Sequence, residues 1–121
     1  MEQNSFGNYL RELRNSKTPS MSQEELATAI GRKKMTISQF EKEKNFPPQG
    51  ELLDKIIVAL NLSLEEEHKL RYLASKERKT VPEDIQQYFF EHPSIYKFIR
   101  AAQLRDCDDE FWINLLRQIY K

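Results

Sequence analysis

The stretch Gln23–Lys42, QEELATAIGRKKMTISQFEK, holds one Gly between two short segments of helical apolar spacing. In the first segment Leu26, Ala27 and Ile30 share a face, because residues three and four apart stack on one side of a helix. The small Ala27 lets a second helix approach closely. Gly31 follows at the point where a helix end often needs a left-handed residue, which glycine adopts without steric cost. In the second segment, at roughly 100° per residue, Lys33, Thr36, Ile37, Phe40 and Glu41 fall on one arc. Lys34, Met35, Ser38, Gln39 and Lys42 fall opposite. Thr36, Ile37 and Phe40 read as core. The outward arc carries amide, hydroxyl and ammonium groups and no acid, the groups that reach base edges and phosphates in a major groove.

Helix, glycine turn, helix is the form of the DNA-binding helix-turn-helix. The segment resembles the Cro/CI-type (XRE) helix-turn-helix family, in which a Ser-Gln-Glu-Glu-Leu-Ala opening, a turn Gly, a Thr-Ile-Ser core and an aromatic-Glu pair recur. Here these are Ser22–Ala27, Gly31, Thr36–Ser38 and Phe40-Glu41. The resemblance runs from about Phe6 to Leu64, with FGNYLRELR as the first helix and LLDKIIVALNLSLEE as the closing helices. It implies an all-α fold: a lambda-repressor-like five-helix DNA-binding domain, followed by a small C-terminal three-helix region.

The resemblance also implies roles. Lys34, Met35, Ser38 and Gln39 match the family's base-reading positions, and Gln23 the position that touches the phosphate backbone and braces the recognition helix. Arg32, Lys33, Lys42, Lys44 and Asn45 are candidate phosphate contacts. Arg14 and Glu41 match positions that form a partly buried ion pair between the first helix and the recognition helix. The chain departs from the pattern at Arg32, where the family usually has a buried aliphatic residue. It departs again at Glu43, where the family usually has Gly, so the recognition helix is expected to run on toward Lys44. Thr18-Pro19-Ser20 lengthens the connection before Met21, an insertion that costs little because loop-closure entropy grows slowly with length.

The remaining segments read as helices with their own boundaries. Ser5 caps a first helix through about Ser16, with Phe6, Tyr9, Leu10 and Leu13 inward. Ser22 and Ser63 each stand three residues before a Glu, forming capping boxes with Glu25 and Glu66. Leu52, Leu53, Ile56, Ile57 and Leu60 share a core face, and Asn61 is the stop. Residues 1–75 are therefore expected to form the DNA-binding domain, with the charged run 76–81 as a linker. Residues 82–121 are expected to form a helical region for dimerisation or for binding a partner or effector. Pro82 suits a first helical position, and His92-Pro93 breaks the next two helices, since the residue before Pro is biased away from helix.

That C-terminal region holds eight of the chain's 13 aromatic residues. On its last helix Phe111, Trp112, Leu115, Leu116, Ile119 and Tyr120 cover about half the circumference, wide for a surface helix. Three helices in about 40 residues are marginal alone. They are expected to dock on the first module or on a second copy, giving a homodimer, or to take a partner protein or small effector.

Composition bounds the function. The chain has 121 residues with 39% hydrophobic and 31% charged, as in a folded globular protein. No apolar run reaches the length of a membrane span, and MEQNSFGNYLRE has no basic-then-apolar leader, so a cytoplasmic protein is expected. Nineteen basic residues balance 19 acidic ones, so overall charge lends nothing to nucleic-acid binding. The argument rests on local placement, Arg32, Lys33 and Lys34 at the turn and Lys42 and Lys44 beyond the recognition helix. Cys107 is the only cysteine, which excludes an internal disulfide and a Cys-based zinc site. His68 and His92 lack companions at metal-ligand spacing, and the acidic runs Glu65–Glu67 and Asp108–Glu110 stand at helix starts, where acids belong. No catalytic constellation, metal site or cofactor is implied. The expected function is a sequence-specific DNA-binding repressor acting on an inverted repeat; the alternative is an antitoxin or adaptor whose tail binds a partner, with DNA binding for autoregulation.

Overall fold

The structure, a computed structural model, describes residues 5–121; Met1–Asn4, the start of the segment read for a leader, lie outside the described residues. Eight helices and no strand occur among them: α1 Phe6–Asn15, α2 Gln23–Ala29, α3 Lys34–Glu41, α4 Gly50–Leu60, α5 Leu64–Glu77, α6 Glu83–Glu91, α7 Pro93–Leu104 and α8 Asp109–Ile119. None is long and apolar enough to cross a membrane. The chain forms two compact units, the first extending to Glu83 and the second comprising Asp84–Lys121.

Local chemistry starts the helices. Ser5 Oγ accepts the Asn8 N–H at 3.1 Å at the head of α1. Ser22 and Glu25 exchange two bonds of 2.8 and 3.0 Å at the head of α2, and Ser63 and Glu66 repeat the capping box on α5 at 3.0 and 3.1 Å. Each box satisfies backbone donors that the first turn leaves unpaired.

Local chemistry also stops them. Gly31 takes φ +73° after α2, and the Arg32 N–H reaches back to Ala27 O at 2.8 Å while the Gly31 N–H bonds Thr28 O at 3.2 Å. This doubled closure turns the chain sharply enough for α3 to pack across α2. Asn61 ends α4 in the same left-handed way, at φ +50°.

The core of the first unit gathers one face from each of its five helices. Phe6, Tyr9, Leu10 and Leu13 come from α1, Leu26 and Ala27 from α2, and Ile37 and Phe40 from α3, with Ile30 at the α2 cap. Leu53, Ile56, Ile57 and Leu60 of α4 and Leu70, Leu73 and Ala74 of α5 close it. Leu52 packs against this core from its edge. Thr36, read from the sequence as core, is only half-buried. It lies in the first turn of α3, just after the chain has left the Gly31 turn. Phe6 meets Phe40 edge-to-face, with ring centroids 6.3 Å apart, the geometry that aromatic quadrupoles favour.

The second unit is built differently. Rings pair along its helices: Tyr88 stacks on His92 at 4.1 Å, Phe89 meets Tyr96 at 6.3 Å, and Phe98 contacts Phe111 and Trp112 at 6.2 and 5.6 Å. Yet Ala102 is the only buried residue among its described residues. A unit of this size buries too little surface to be stable on hydrophobic packing alone.

One contact in the first unit is unusually close. A Cβ added to Gly7 would stand 2.6 Å from both Phe40 O and Glu41 O, backbone atoms that cannot rotate aside. The crossing of α1 over the end of α3 therefore depends on this glycine. Although Ala favours a helix interior by ~0.5–1 kcal/mol, Gly7→Ala is expected to cost ~1–3 kcal/mol through the forced backbone shift. Chemical denaturation of the full chain measures it, and an unchanged or raised midpoint refutes the tight crossing.

Candidate nucleic-acid interface

Glu41, at the last turn of α3, is 2% exposed, and its carboxylate sits among donors from three directions. Arg14 of α1 grips it with two bonds, Nε to Oε2 at 2.7 Å and Nη2 to Oε1 at 2.9 Å. Gln23, at the start of α2, donates Nε2 to Oε1 at 2.9 Å. Arg11 adds a longer approach, Nε to Oε1 at 3.5 Å, and donates Nη2 to the Glu41 carbonyl at 3.3 Å. The third nitrogen of Arg14, Nη1, donates to Met21 O at 2.8 Å and so ties in the loop before α2. A forked guanidinium against a carboxylate fixes direction as well as distance. No buried side-chain nitrogen or oxygen lacks a partner among the described residues, which is what makes a buried charge tolerable.

With Ile37, Phe40 and Glu41 turned inward, α3 presents its other side. Lys34 and Met35 are exposed, Met35 by 64% of its surface, and Ser38 and Gln39 are half-exposed. These four residues share one face. Arg32 and Lys33 precede them in the exposed turn, and Lys42, Lys44 and Asn45 follow in the exposed loop. Arg32, in the place of a buried aliphatic residue, keeps its head in solvent and donates to Gly31 O at 3.3 Å. Gln23 is half-buried, one of its amide hydrogens held by Glu41. Asn45 Nδ2 donates to Gln39 Oε1 at 2.8 Å, which orients the Gln39 amide before any ligand arrives.

Helix α3 does not run on toward Lys44. It ends at Glu41, because Glu43 itself adopts the left-handed conformation, φ +60°. The Glu43 N–H bonds Phe40 O at 3.1 Å and the Lys44 N–H bonds Gln39 O at 2.9 Å, the same doubled closure that Gly31 makes on α2. A side chain can occupy that conformation at a cost of ~1–2 kcal/mol, met here by the contacts around it.

A contact further along this loop escaped the sequence reading. Arg78, at the end of α5, donates Nε and Nη2 to Pro47 O at 3.1 and 2.9 Å, and its guanidinium lies 5.2 Å over the Phe46 ring. It anchors the loop that carries Lys42, Lys44 and Asn45. The run KERKT signals only charge; nothing in its spacing points to a loop 31 residues earlier.

The C-terminal candidates divide. Leu116, Ile119 and Tyr120 are exposed, whereas Phe111, Trp112 and Leu115 are half-buried. Ile113, which the sequence reading did not single out, joins the exposed group at 40%.

A family model described as helix-turn-helix matches residues 10–66, from within α1 to the first turn of α5. No curated protein and no solved structure matches the chain.

Replacing Glu41 with Ala strands the Arg14 guanidinium in a buried site. The expected loss is ~3–5 kcal/mol of unfolding free energy, a large part of the ~5–15 kcal/mol typical of a domain. A double-mutant cycle with Arg14→Ala, read by urea denaturation, should return a coupling well above that of an exposed ion pair. Additive losses at the two positions would mean the pair does not join the helices.

Proposed function

Because residues 10–66 belong to the Cro/CI-type helix-turn-helix family of DNA-binding transcription regulators, we propose that the chain is a sequence-specific repressor. It binds an inverted repeat as a dimer, with α3 in the major groove of each half-site and the half-site centres ~34 Å apart. The observation that carries this reading is the exposed face of α3, where Lys34, Met35, Ser38 and Gln39 stand together while the opposite side is locked to α1 and α2. Lys34 suits guanine O6 and N7, Gln39 adenine N6 and N7, and Met35 a thymine methyl. Ser38 adds a hydroxyl that serves as donor or acceptor.

Phosphate contacts surround this face. Arg32 and Lys33 flank its start and Lys42, Lys44 and Asn45 its end, all exposed. Gln23 braces α3 through Glu41 and keeps a second amide hydrogen for a backbone oxygen. These few cations supply the electrostatic attraction that a net charge of zero does not. Since residues 82–121 are rich in exposed aromatic and aliphatic side chains, they serve as the dimerisation region. The same exposure favours one other reading, an antitoxin or adaptor whose tail binds a partner protein; a stoichiometric small protein copurifying with the chain, dependent on residues 82–121, would select it.

Binding-site selection with the purified chain should recover one inverted-repeat motif. Replacing Lys34, Met35 and Gln39 together with Ala is expected to change the recovered motif, and an unaltered motif overturns the base-reading assignment. Lys44→Ala should weaken binding to all sequences about equally and reduce the salt dependence by about one ion. Arg78→Ala, by loosening the Phe46–Pro47 loop, is expected to weaken every sequence as well while leaving the preferred motif intact. Titrations at several salt concentrations distinguish these outcomes.

A further inference from the structure

Helix α8 has two faces. Phe111 and Trp112 turn toward Phe98 of α7, and Leu115 shares the half-buried side. The other face carries Ile113, Leu116 and Tyr120, exposed by 40, 52 and 80%. Their spacing of three and then four residues is that of a seam between paired helices. Charge is distributed along the same helix with opposite signs at its ends. Asp108, Asp109 and Glu110 stand at the start, Arg117 and Lys121 at the finish. Glu110 and Arg117, seven residues apart, flank one edge of the seam; Trp112 and Ile119, also seven apart, flank the other. Among the described residues no ion pair engages Glu110 or Arg117, whose guanidinium donates only to Asn114 Oδ1, at 3.2 Å.

The geometry points to a second copy of this chain as the occupant of that face, with the two α8 helices antiparallel about a two-fold axis near the middle of the helix. This deepens the dimeric reading above and rests on it. In that arrangement Ile113 packs against the partner's Leu116, and Leu116 against the partner's Ile113. Glu110 meets the partner's Arg117 twice over by symmetry, and Trp112 covers the partner's Ile119. An isologous interface demands such self-complementarity. A parallel pairing instead brings the two acidic starts side by side and the two basic ends side by side. Charge at the seam edges is what sets orientation between paired helices.

Sedimentation equilibrium of the full chain, without DNA, tests the arrangement. The native chain is expected to be dimeric at micromolar concentration, and Leu116→Lys monomeric with its helix content retained by circular dichroism. Glu110→Arg and Arg117→Glu should each weaken the dimer roughly tenfold, since each turns two attractive exposed pairs into repulsive ones. Glu110→Arg combined with Arg117→Glu should restore the native dissociation constant. A monomeric native chain overturns the dimeric reading itself. A native-like dimer in Leu116→Lys overturns this interface alone and leaves dimerisation through another face. Single reversals without effect, or a double reversal that fails to restore the dimer, overturn the antiparallel orientation.

Discussion

The orientation of α3 depends on one buried carboxylate. Glu41 collects Arg14 and Arg11 from α1 and Gln23 from α2, so three helices are fixed relative to one another by charge-assisted bonds. Hydrophobic contact alone tolerates small rotations, because burial depends on area rather than direction. A forked guanidinium against a carboxylate does not. The rotation of α3 about its own axis decides which side chains face outward, and this cluster sets that rotation. The same carboxylate connects outward, since the Gln23 amide that braces it stands at the half-buried start of α2.

A second constraint acts at the helix ends. The left-handed residues after α2, α3, α4, α5 and α7 are Gly31, Glu43, Asn61, Lys79 and Asp106. Each is accompanied by a backbone bond from the next residue to a carbonyl five residues back. Glycine, Asn and Asp adopt this conformation readily, so the turn is imposed on a residue that does not favour it only at Glu43 and Lys79. On either side of Glu43 the chain is held by tertiary contacts: Gly7 lets α1 approach the Phe40 and Glu41 carbonyls closely, and Arg78 holds the chain at Phe46 and Pro47. The helix stops where tertiary packing holds its ends, and the loop that follows is placed beside the outward face of α3.

How much of this was legible depended on whether the signal was local. The caps at Ser5, Ser22 and Ser63, the stops at Gly31 and Asn61, and the apolar faces of α1, α2 and α4 all follow from residue types within one or two turns. Arg14 and Glu41 were linked by resemblance, and Gln23 was placed as a brace; the structure supplies the distances. Arg78 was not legible, because its Pro47 partner lies 31 residues away and its surroundings read as a charged linker. The end of α3 was misread for a related reason. Glu43 has no intrinsic preference for the left-handed region, and only its surroundings put it there.

In the C-terminal region the aromatic arc of α8 was visible as a pattern, but its division into a face turned to Phe98 and an exposed face was not. Periodicity reports which residues lie on the same side of a helix; it cannot say which side meets a neighbour. Sequence alone therefore determined the all-helical class, most helix starts and stops, and the existence of an outward polar face on α3, since each follows from local propensity and spacing. Tertiary structure decided where α3 ends, what anchors its loop and which face of α8 stays open, because those depend on contacts between residues distant in the chain.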